Sequence, residues 1–207
     1  IASFVHATSG EVLFRGEKIS DLAPHKVARM GVVRTFQETT IFKSMTVREN
    51  VIVSHHLRSK ASLLGFFFGS AQAKADEAEF GKSADDIIDF LGLQAIRNEM
   101  ASNLPQGHLR ALGMAIGLAT QPEIILLDEP FTGVDVNTED AIVKLLRSLR
   151  DEGRVMLVST HNLGSVPEYC DRAILINRTV LAAGPTGKVF TQANLERAFG
   201  GVLRHFT

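Results

Sequence analysis

The stretch Ile124-Ile125-Leu126-Leu127-Asp128-Glu129-Pro130-Phe131 decides the fold class. Its four leading apolar residues have no amphipathic period, which is typical of a strand buried on both faces in a parallel α/β sheet. Two carboxylates follow where this strand leaves the core, and open α/β sheets bind ligands at the carboxyl ends of their strands. One acid there is suited to hold Mg²⁺ and the other to polarise water, which predicts nucleotide hydrolysis. The alternative is a solvated loop after a core strand.

The residues that follow predict a strand–helix–strand unit. A second apolar strand covers 155–160 and leads to His161, and Gly153 before it fits a helix stop. Residues 138–150 carry one apolar stripe at helical spacing, formed by Ala141, Ile142, Leu145, Leu146 and Leu149. A right-handed crossover between the strands would place His161 beside Asp128 and Glu129 at one sheet edge. His161 is then expected to contact phosphate or water, the alternative being an ordinary surface or packing histidine.

The rest of the chain predicts strands interrupted by a helical block. Residues 9–16 read as a turn followed by a hairpin strand, and Gly31-Val32-Val33 as another strand. From Thr46 to about Asn103 the pattern is helical, beginning with a capping box formed by Thr46 and Glu49. Two separate helices are expected within this block, at 71–80 and 83–91, and a short helix with a loose end at 194–206.

Five motifs in a fixed order resemble the nucleotide-binding subunit of ABC transporters. They are the Q-loop Thr35-Phe36-Gln37, the signature position Leu104-Pro105-Gln106-Gly107-His108, the Walker B strand 124–129, the D-loop Thr132-Gly133-Val134-Asp135 and the H-switch Ser159-Thr160-His161. Each motif is weak alone, but the ordered set covers nearly the whole chain. The resemblance implies an α/β fold with a P-loop NTPase-like ABC ATPase core and a helical subdomain. The core would comprise 1–43 and 121–207, and the helical subdomain 44–120.

The resemblance also implies roles for individual residues, with ATP and Mg²⁺ as cofactors. Asp128 would hold Mg²⁺, with Gln37 as a second metal contact that also couples nucleotide to the membrane partner. Glu129 would orient or deprotonate the attacking water, and His161 would stabilise the γ-phosphate. Asp135 would communicate across a dimer interface.

The signature position is expected to contact nucleotide as well. Gly107 is predicted to open a helix that runs to Ala119, and a helix N-terminus attracts anions through its free N–H groups. In the family this end serves the ATP held by the opposite subunit. The expected contacts are Leu104, Pro105, Gln106, Gly107 and His108.

Two departures from the family pattern stand out. Pro105 and Gln106 replace the usual Ser and Gly, which removes one hydroxyl contact, although importers of hydrophobic amino acids resemble this arrangement. The 207 residues also contain no G-x-x-x-x-G-K-S/T loop. The chain is therefore expected to be N-terminally truncated, starting just past the P-loop, inactive alone, and exposed at the apolar sheet residues Val32, Ile125 and Leu157.

The resemblance to individual importer classes changes along the chain. The segments 29–37, 45–50 and 104–120 resemble ATPases of branched-chain amino-acid importers, whereas 131–135, 159–166 and 198–205 resemble those of manganese and iron uptake systems. Branched-chain or other hydrophobic amino acids are the first expectation, because the helical subdomain faces the membrane partner, and metal ions are the alternative. The implied partners are a second ATPase subunit, two transmembrane permease subunits and, indirectly, a periplasmic solute-binding protein.

Composition narrows the setting. Net charge is −1, so no global field recruits nucleic acid, and the single Cys170 fits a reducing compartment. No apolar run reaches the roughly 20 residues that span a bilayer, and no signal peptide is expected. These features favour a soluble, intracellular domain, and the resemblance to ABC transporters implies a peripheral location at the cytoplasmic face of a bacterial plasma membrane. The pair His55-His56 is expected at the surface. A non-transport ABC protein and a non-hydrolytic remnant remain alternatives of another class.

Overall fold

The computed structural model describes residues 9–35, 41–55, 70–134 and 136–200. Its contacts divide the chain into two compact units, Ile1–His161 and Asn162–Thr207. The strands are β1 (Leu13–Phe14), β2 (Glu17–Lys18), β3 (Val32–Arg34), β4 (Ile124–Asp128), β5 (Val155–Ser159), β6 (Arg172–Asn177) and β7 (Thr179–Pro185). The α-helices are α1 (Pro24–Arg29), α2 (Val47–Ser54), α3 (Ala71–Phe90), α4 (Gln106–Ala119), α5 (Val136–Asp151), α6 (Val166–Tyr169), α7 (Thr186–Val189) and α8 (Gln192–Phe199).

The sheet of the first unit is parallel, in the order β3-β4-β5. Leu126 of β4 joins a buried cluster with Ile19, Val27 and Val32, so α1 and the segment after the β1–β2 hairpin cover one face. On the other face, α4 comes so close that a Cβ added to Gly117 would lie 3.5 Å from Cδ1 of Ile125. Because β4 is covered on both sides, its continuous apolar run is explained, and its carboxyl end is the place where polar side chains emerge.

Because α1 and α4 cover the sheet, the predicted exposure of its apolar residues is only partly correct. Val32 and Ile125 are 2% and 3% exposed, so the prediction that they would be exposed was wrong. Leu157 on β5 is 45% exposed, as expected. The difference follows from position, because β3 and β4 lie under α1 and α4 whereas the outward face of β5 has no such cover among the described residues.

A group of three helices, α2, α3 and α4, packs together in the same unit. The capping box that begins α2 is present, with Glu49 N–H donating to the Thr46 hydroxyl and Thr46 N–H donating to the Glu49 carboxylate. Between α2 and α3, Arg48 donates twice to Asp85, at 2.8 and 3.0 Å. These contacts fix the helical block, where burial of the apolar helix faces supplies the main stabilisation.

Two expectations for this block were wrong. The helices predicted at 71–80 and 83–91 form one continuous helix, α3, in which Gly81 is buried against Arg48. His55 is fully buried rather than at the surface, since its ring stacks on Phe80 and lies 3.0 Å from the Ser83 hydroxyl. His56 lies outside the described residues.

The second unit is a small α/β assembly. β6 and β7 form an antiparallel hairpin with an irregular register between Leu175 and Ile176. The helices α7 and α8 pack on this hairpin around Leu175, Val189 and Ala198. The short helix expected within 194–206 corresponds to α8, which begins at Gln192 and ends at Phe199, and residues 201–206 lie outside the described residues. No pattern predicted the hairpin before it.

Candidate functional site

Asp128 ends β4, directly beside Ser159 at the end of β5. The Ser159 hydroxyl donates to Oδ1 of Asp128, and Nη2 of Arg34 on β3 donates to Oδ2 at 2.8 Å. The Ser159 hydrogen bond and then the Arg34 guanidinium lower the pKa of the Asp128 carboxyl below its ordinary value. Three neighbouring strands thus hold one ionised carboxylate at the edge of the sheet.

Glu129 takes up an uncommon backbone conformation immediately after the strand. Its φ is +48°, in the left-handed region that residues with a Cβ rarely occupy. Its N–H donates to the Ser159 carbonyl at 2.9 Å, which anchors the turn to β5. Oε1 of Glu129 lies 2.8 Å from Nδ1 of His161, within hydrogen-bonding distance. The Glu129 side chain is 26% exposed and that of His161 74% exposed, so the pair faces solvent.

The predicted neighbours at the end of β4 are therefore together. Asp128, Glu129 and His161 lie at one edge, because the register pairs Asp128 with Ser159, two residues before His161. Chemically, the arrangement offers one ionised carboxylate with fixed orientation and a second carboxylate beside an imidazole.

The signature position lies where the helical block meets this edge. Leu104 is buried, Pro105 is the N-cap of α4 and makes no side-chain capping bond, and Gly107 is buried in the first turn. The helix begins at Gln106, one residue earlier than predicted. His108 is half-buried in the same turn.

The first turns of α4 contact the loop after β4. A Cβ added to Gly133, whose φ is +73°, would lie 3.6 Å from Cγ of Gln106. One turn later, Nη1 of Arg110 donates to the Glu129 carbonyl at 3.0 Å. The sequence motifs did not single out Arg110 or Arg34. Finding them requires the register of β3 on β4 and the placement of α4, and no local pattern carries that information.

Two predicted site residues, Gln37 and Asp135, lie outside the described residues. Their neighbours Thr35 and Thr132 are described. Thr35 N–H donates to the Leu126 carbonyl at 2.9 Å, which continues the β3–β4 ladder toward the Q-loop. The Thr132 hydroxyl donates to Oε2 of Glu129 at 3.4 Å.

The oxygen donors at the end of β4 and β5 fit a magnesium ion. Magnesium takes oxygen ligands, usually one or two carboxylates together with water and substrate phosphates. Asp128 and the Ser159 hydroxyl supply such donors, and each carboxylate oxygen retains a lone pair beyond its present bond. Among the described residues there is no cluster of three or more His, Cys, Asp or Glu side chains suited to a metal held by protein alone.

Comparison with known proteins shows the family of this chain. The ABC transporter family matches residues 1–132. The chelated iron transport system membrane protein YfeB of Yersinia pestis is 57% identical over 133 residues, which are 64% of this chain and 44% of that protein. The high-affinity branched-chain amino acid transport ATP-binding protein LivG of Escherichia coli K12 is 32% identical over 203 residues, 97% of this chain and 80% of that protein.

Solved structures share the fold. The crystal structure of a nucleotide-free ATP-binding cassette from an ABC transporter superposes with a TM-score of 0.73 at 27% identity, covering 96% of this chain and 76% of that chain. This chain belongs to the ABC transporter family and has the α/β fold of its ATP-binding cassettes. It spans less than half the length of YfeB. Among its described helices, none has both the length and the apolar character needed to cross a membrane.

Proposed function

We propose that this chain is the ATP-binding and ATP-hydrolysing part of a bacterial ABC importer. The observation that carries the proposal is the 2.8 Å approach of His161 to Glu129, directly beyond the buried strand β4. A carboxylate at this place is suited to accept a proton from the attacking water. The adjacent imidazole is suited to stabilise charge on the transferred phosphoryl group.

Each remaining site residue has a proposed task. Asp128 would hold Mg²⁺, with Gln37 as a second contact, and the ion would supply positive charge to neutralise the nucleotide phosphates. Arg34 and Ser159 keep the Asp128 carboxylate ionised and oriented. Asp135 links the site to a second copy of the ATPase.

The same proposal assigns the cassette architecture. Residues 1–43 and 121–207 form the ATPase core, and 44–120 form the helical subdomain. The subdomain presents the signature position to the nucleotide of the second ATPase subunit. Two ATPase subunits would act beneath two permease subunits at the cytoplasmic face of the plasma membrane, with solute delivered by a periplasmic binding protein.

Branched-chain or other hydrophobic amino acids are the first proposed solutes. The likeness to LivG supports this class because it extends over 97% of the chain. Metal ions are the second candidate, and a specific observation favours them. The likeness to YfeB covers 133 of the 207 residues, so 74 residues lie outside it. Wherever the matched stretch begins, it therefore includes residues 75–133. The likeness to YfeB therefore extends to the N-terminal side of Pro130, into the region of the signature helix.

The test of hydrolysis uses the chain joined to a segment that supplies the G-x-x-x-x-G-K-S/T loop, here named the P-loop-completed chain. Phosphate release from Mg-ATP is measured for this protein and for its Glu129→Gln variant. We expect turnover in the first, and in the second loss of turnover with ATP binding retained. Binding without turnover in both would favour a non-hydrolytic subunit, and near-normal turnover in the variant would remove Glu129 from the catalytic role.

The solute class is tested separately by pairing the P-loop-completed chain with permeases of each class in vesicles. Leucine and manganese uptake are compared, because they are simple probes of the two classes. Uptake of manganese without uptake of leucine would make metal ions the first candidate and hydrophobic amino acids the second.

A further inference from the structure

The backbone of Glu129 needs an external support to keep its conformation. A non-glycine residue at a φ of +48° is strained relative to ordinary backbone, and such strain persists only where the surroundings over-determine it. On the N-terminal side, the Glu129 N–H is held by the Ser159 carbonyl of β5. On the C-terminal side, the Glu129 carbonyl accepts from Thr132 N–H at 3.3 Å and from Nη1 of Arg110 at 3.0 Å.

Arg110 differs from the other two supports because it comes from a helix. It lies on α4, which packs against α2 and α3, whereas Ser159 ends β5 and Thr132 lies in the loop after β4. Gln106, four residues before Arg110, lies beside Gly133 of the same loop, since a Cβ added to Gly133 would be 3.6 Å from its Cγ. Residues four apart share one face of a helix, so this face of α4 meets the loop 129–133 at two points.

The placement of Arg110 is unfavourable for its own hydrogen bonding. Its Nε is buried and has no hydrogen-bond partner in the described part of the chain. An unsatisfied buried donor carries a cost, which partly offsets the stabilisation that the hydrogen bond from Nη1 supplies. The hydrogen bond that its guanidinium does make, from Nη1, goes to the carbonyl of Glu129.

We infer that Arg110 is a positioning residue for Glu129. Its guanidinium holds the left-handed turn that directs the Glu129 carboxylate toward His161, and it makes the signature helix and the carboxylate of the same chain move together. The inference rests on the proposed function for the role of Glu129. It adds a coupling within one chain to the proposed contact between the signature position and the nucleotide of the other copy.

The variant Arg110→Met tests this in the P-loop-completed chain, because it keeps the apolar stem and removes the guanidinium. We expect kcat to fall about tenfold with little change in KM for Mg-ATP, since orientation of the carboxylate matters only in the reaction step. The melting temperature should change little, because the variant keeps the apolar stem and loses the unsatisfied Nε together with the hydrogen bond of Nη1. Arg110→Lys should restore part of kcat. Arg197→Met, an exposed substitution of the same kind on α8, is the matched control.

A merely structural role would show the opposite combination, a lower melting temperature with normal kcat per folded molecule, and would overturn the inference. A measurement without nucleotide distinguishes failure of this inference about Arg110 from failure of the proposed ATP hydrolysis. Amide hydrogen exchange in 129–133 should be faster in Arg110→Met than in the parent. Unchanged exchange overturns the inference even if the parent hydrolyses ATP. Faster exchange in a parent that does not hydrolyse ATP supports the positioning and overturns only the proposed function.

A mixed dimer excludes the explanation that the variant only disturbs the signature end of α4. One copy carries Glu129→Gln, so the remaining turnover uses Glu129 of the unmodified copy together with α4 of the modified copy. Adding Arg110→Met to the modified copy should leave this remaining rate unchanged, because its own Glu129 is already inactive. A further tenfold fall would show that Arg110 acts on the opposite nucleotide and would overturn the inference.

Discussion

The loop after β4 and the first turn of α4 face each other but are built differently. In the loop, the backbone of Glu129 is held on both sides and its carboxylate already lies 2.8 Å from His161. At the start of α4, Pro105 provides no side-chain cap for the exposed helix end. One region therefore has its geometry set within this chain, whereas the other presents a helix N-terminus suited to a group from elsewhere.

The largest effect is expected from removing the imidazole in the first region. In the P-loop-completed chain, His161→Ala should lower kcat about a hundredfold, because a positioned acid–base or charge-stabilising group contributes at least that much. The melting temperature should change little, since the side chain is 74% exposed. Steady-state hydrolysis and thermal unfolding are measured together. His25→Ala, at an exposed histidine of α1, is the control for both.

A clear loss of stability with full activity per folded molecule would contradict this comparison. It would mean that the His161–Glu129 contact serves the fold rather than the reaction.

A smaller effect is expected where α4 is fixed to the sheet. A Cβ added at Gly117 would lie 2.8 Å from Cγ2 of Thr35, whose hydroxyl donates to the Leu126 carbonyl and so resists rotation. Gly117→Ala should therefore lower the free energy of unfolding by about 1–3 kcal/mol, measured by urea denaturation. Gly187→Ala on α7 is the matched control, since its Cβ would meet nothing within 4 Å.

An unchanged stability in Gly117→Ala would mean that α4 adjusts freely on the sheet. The fixed relation between α4 and the loop after β4, on which the comparison depends, would then not hold.

The parts of this architecture that the sequence predicted are those with a local cause. The strand β4 was predicted correctly because burial on both faces demands a continuous apolar run, and the capping box of α2 because it needs only Thr46 and Glu49. The buried state of Val32 and Ile125 was mispredicted because their cover was assigned to residues that the 207-residue chain does not contain, whereas α1 and α4 already supply it.

The same reasoning explains the site. Asp128 and Glu129 were proposed because they lie at the carboxyl end of an apolar run, and His161 because parallel strands end at one edge. Arg34 and Arg110 were missed, since each reaches the site through a register or a helix packing that no short pattern encodes. His55 was misplaced for a similar reason, because its partners Phe80 and Ser83 lie on the other helix.

A third prediction concerns how the contribution of Asp128 to stability depends on pH. The Ser159 hydroxyl and the Arg34 guanidinium lower the pKa of Asp128 in the folded state, so the folded carboxyl binds a proton less readily than the unfolded one. Its stabilising contribution is therefore complete above the ordinary carboxyl pKa of about 4 and is lost as pH falls below that value. Urea denaturation should show a lower free energy of unfolding for Asp128→Asn than for the parent near neutral pH. This difference should shrink as the pH is lowered.

Asp85 is the internal reference for this experiment, because Arg48 lowers its pKa in the same direction within the helical block. For Asp85→Asn, the difference in free energy of unfolding from the parent should shrink in acid in the same way, without any loss of magnesium-dependent activity. A gap for Asp128→Asn that widened in acid would mean that the carboxylate is not stabilised by its neighbours.

The smallest effect is expected at the start of α4, and it tests the second region directly. Pro105→Ser introduces a side chain that can accept from the N–H groups of the first turn at a position with the extended backbone of an N-cap. A serine cap contributes about 1 kcal/mol, but losing the proline ring frees the unfolded chain by about 0.4–1 kcal/mol, so stability should change by under about 1 kcal/mol.

Pro185→Ser at the N-cap of α7 is the matched control, because it makes the same exchange where no nucleotide contact is proposed. If the first turn of α4 receives the ATP of a second copy, Pro105→Ser should lower KM for Mg-ATP in the P-loop-completed dimer while Pro185→Ser leaves it unchanged. An equal KM in both variants would mean that this helix end does not contact the nucleotide, and the contrast with the loop after β4 would then reduce to a difference in capping alone.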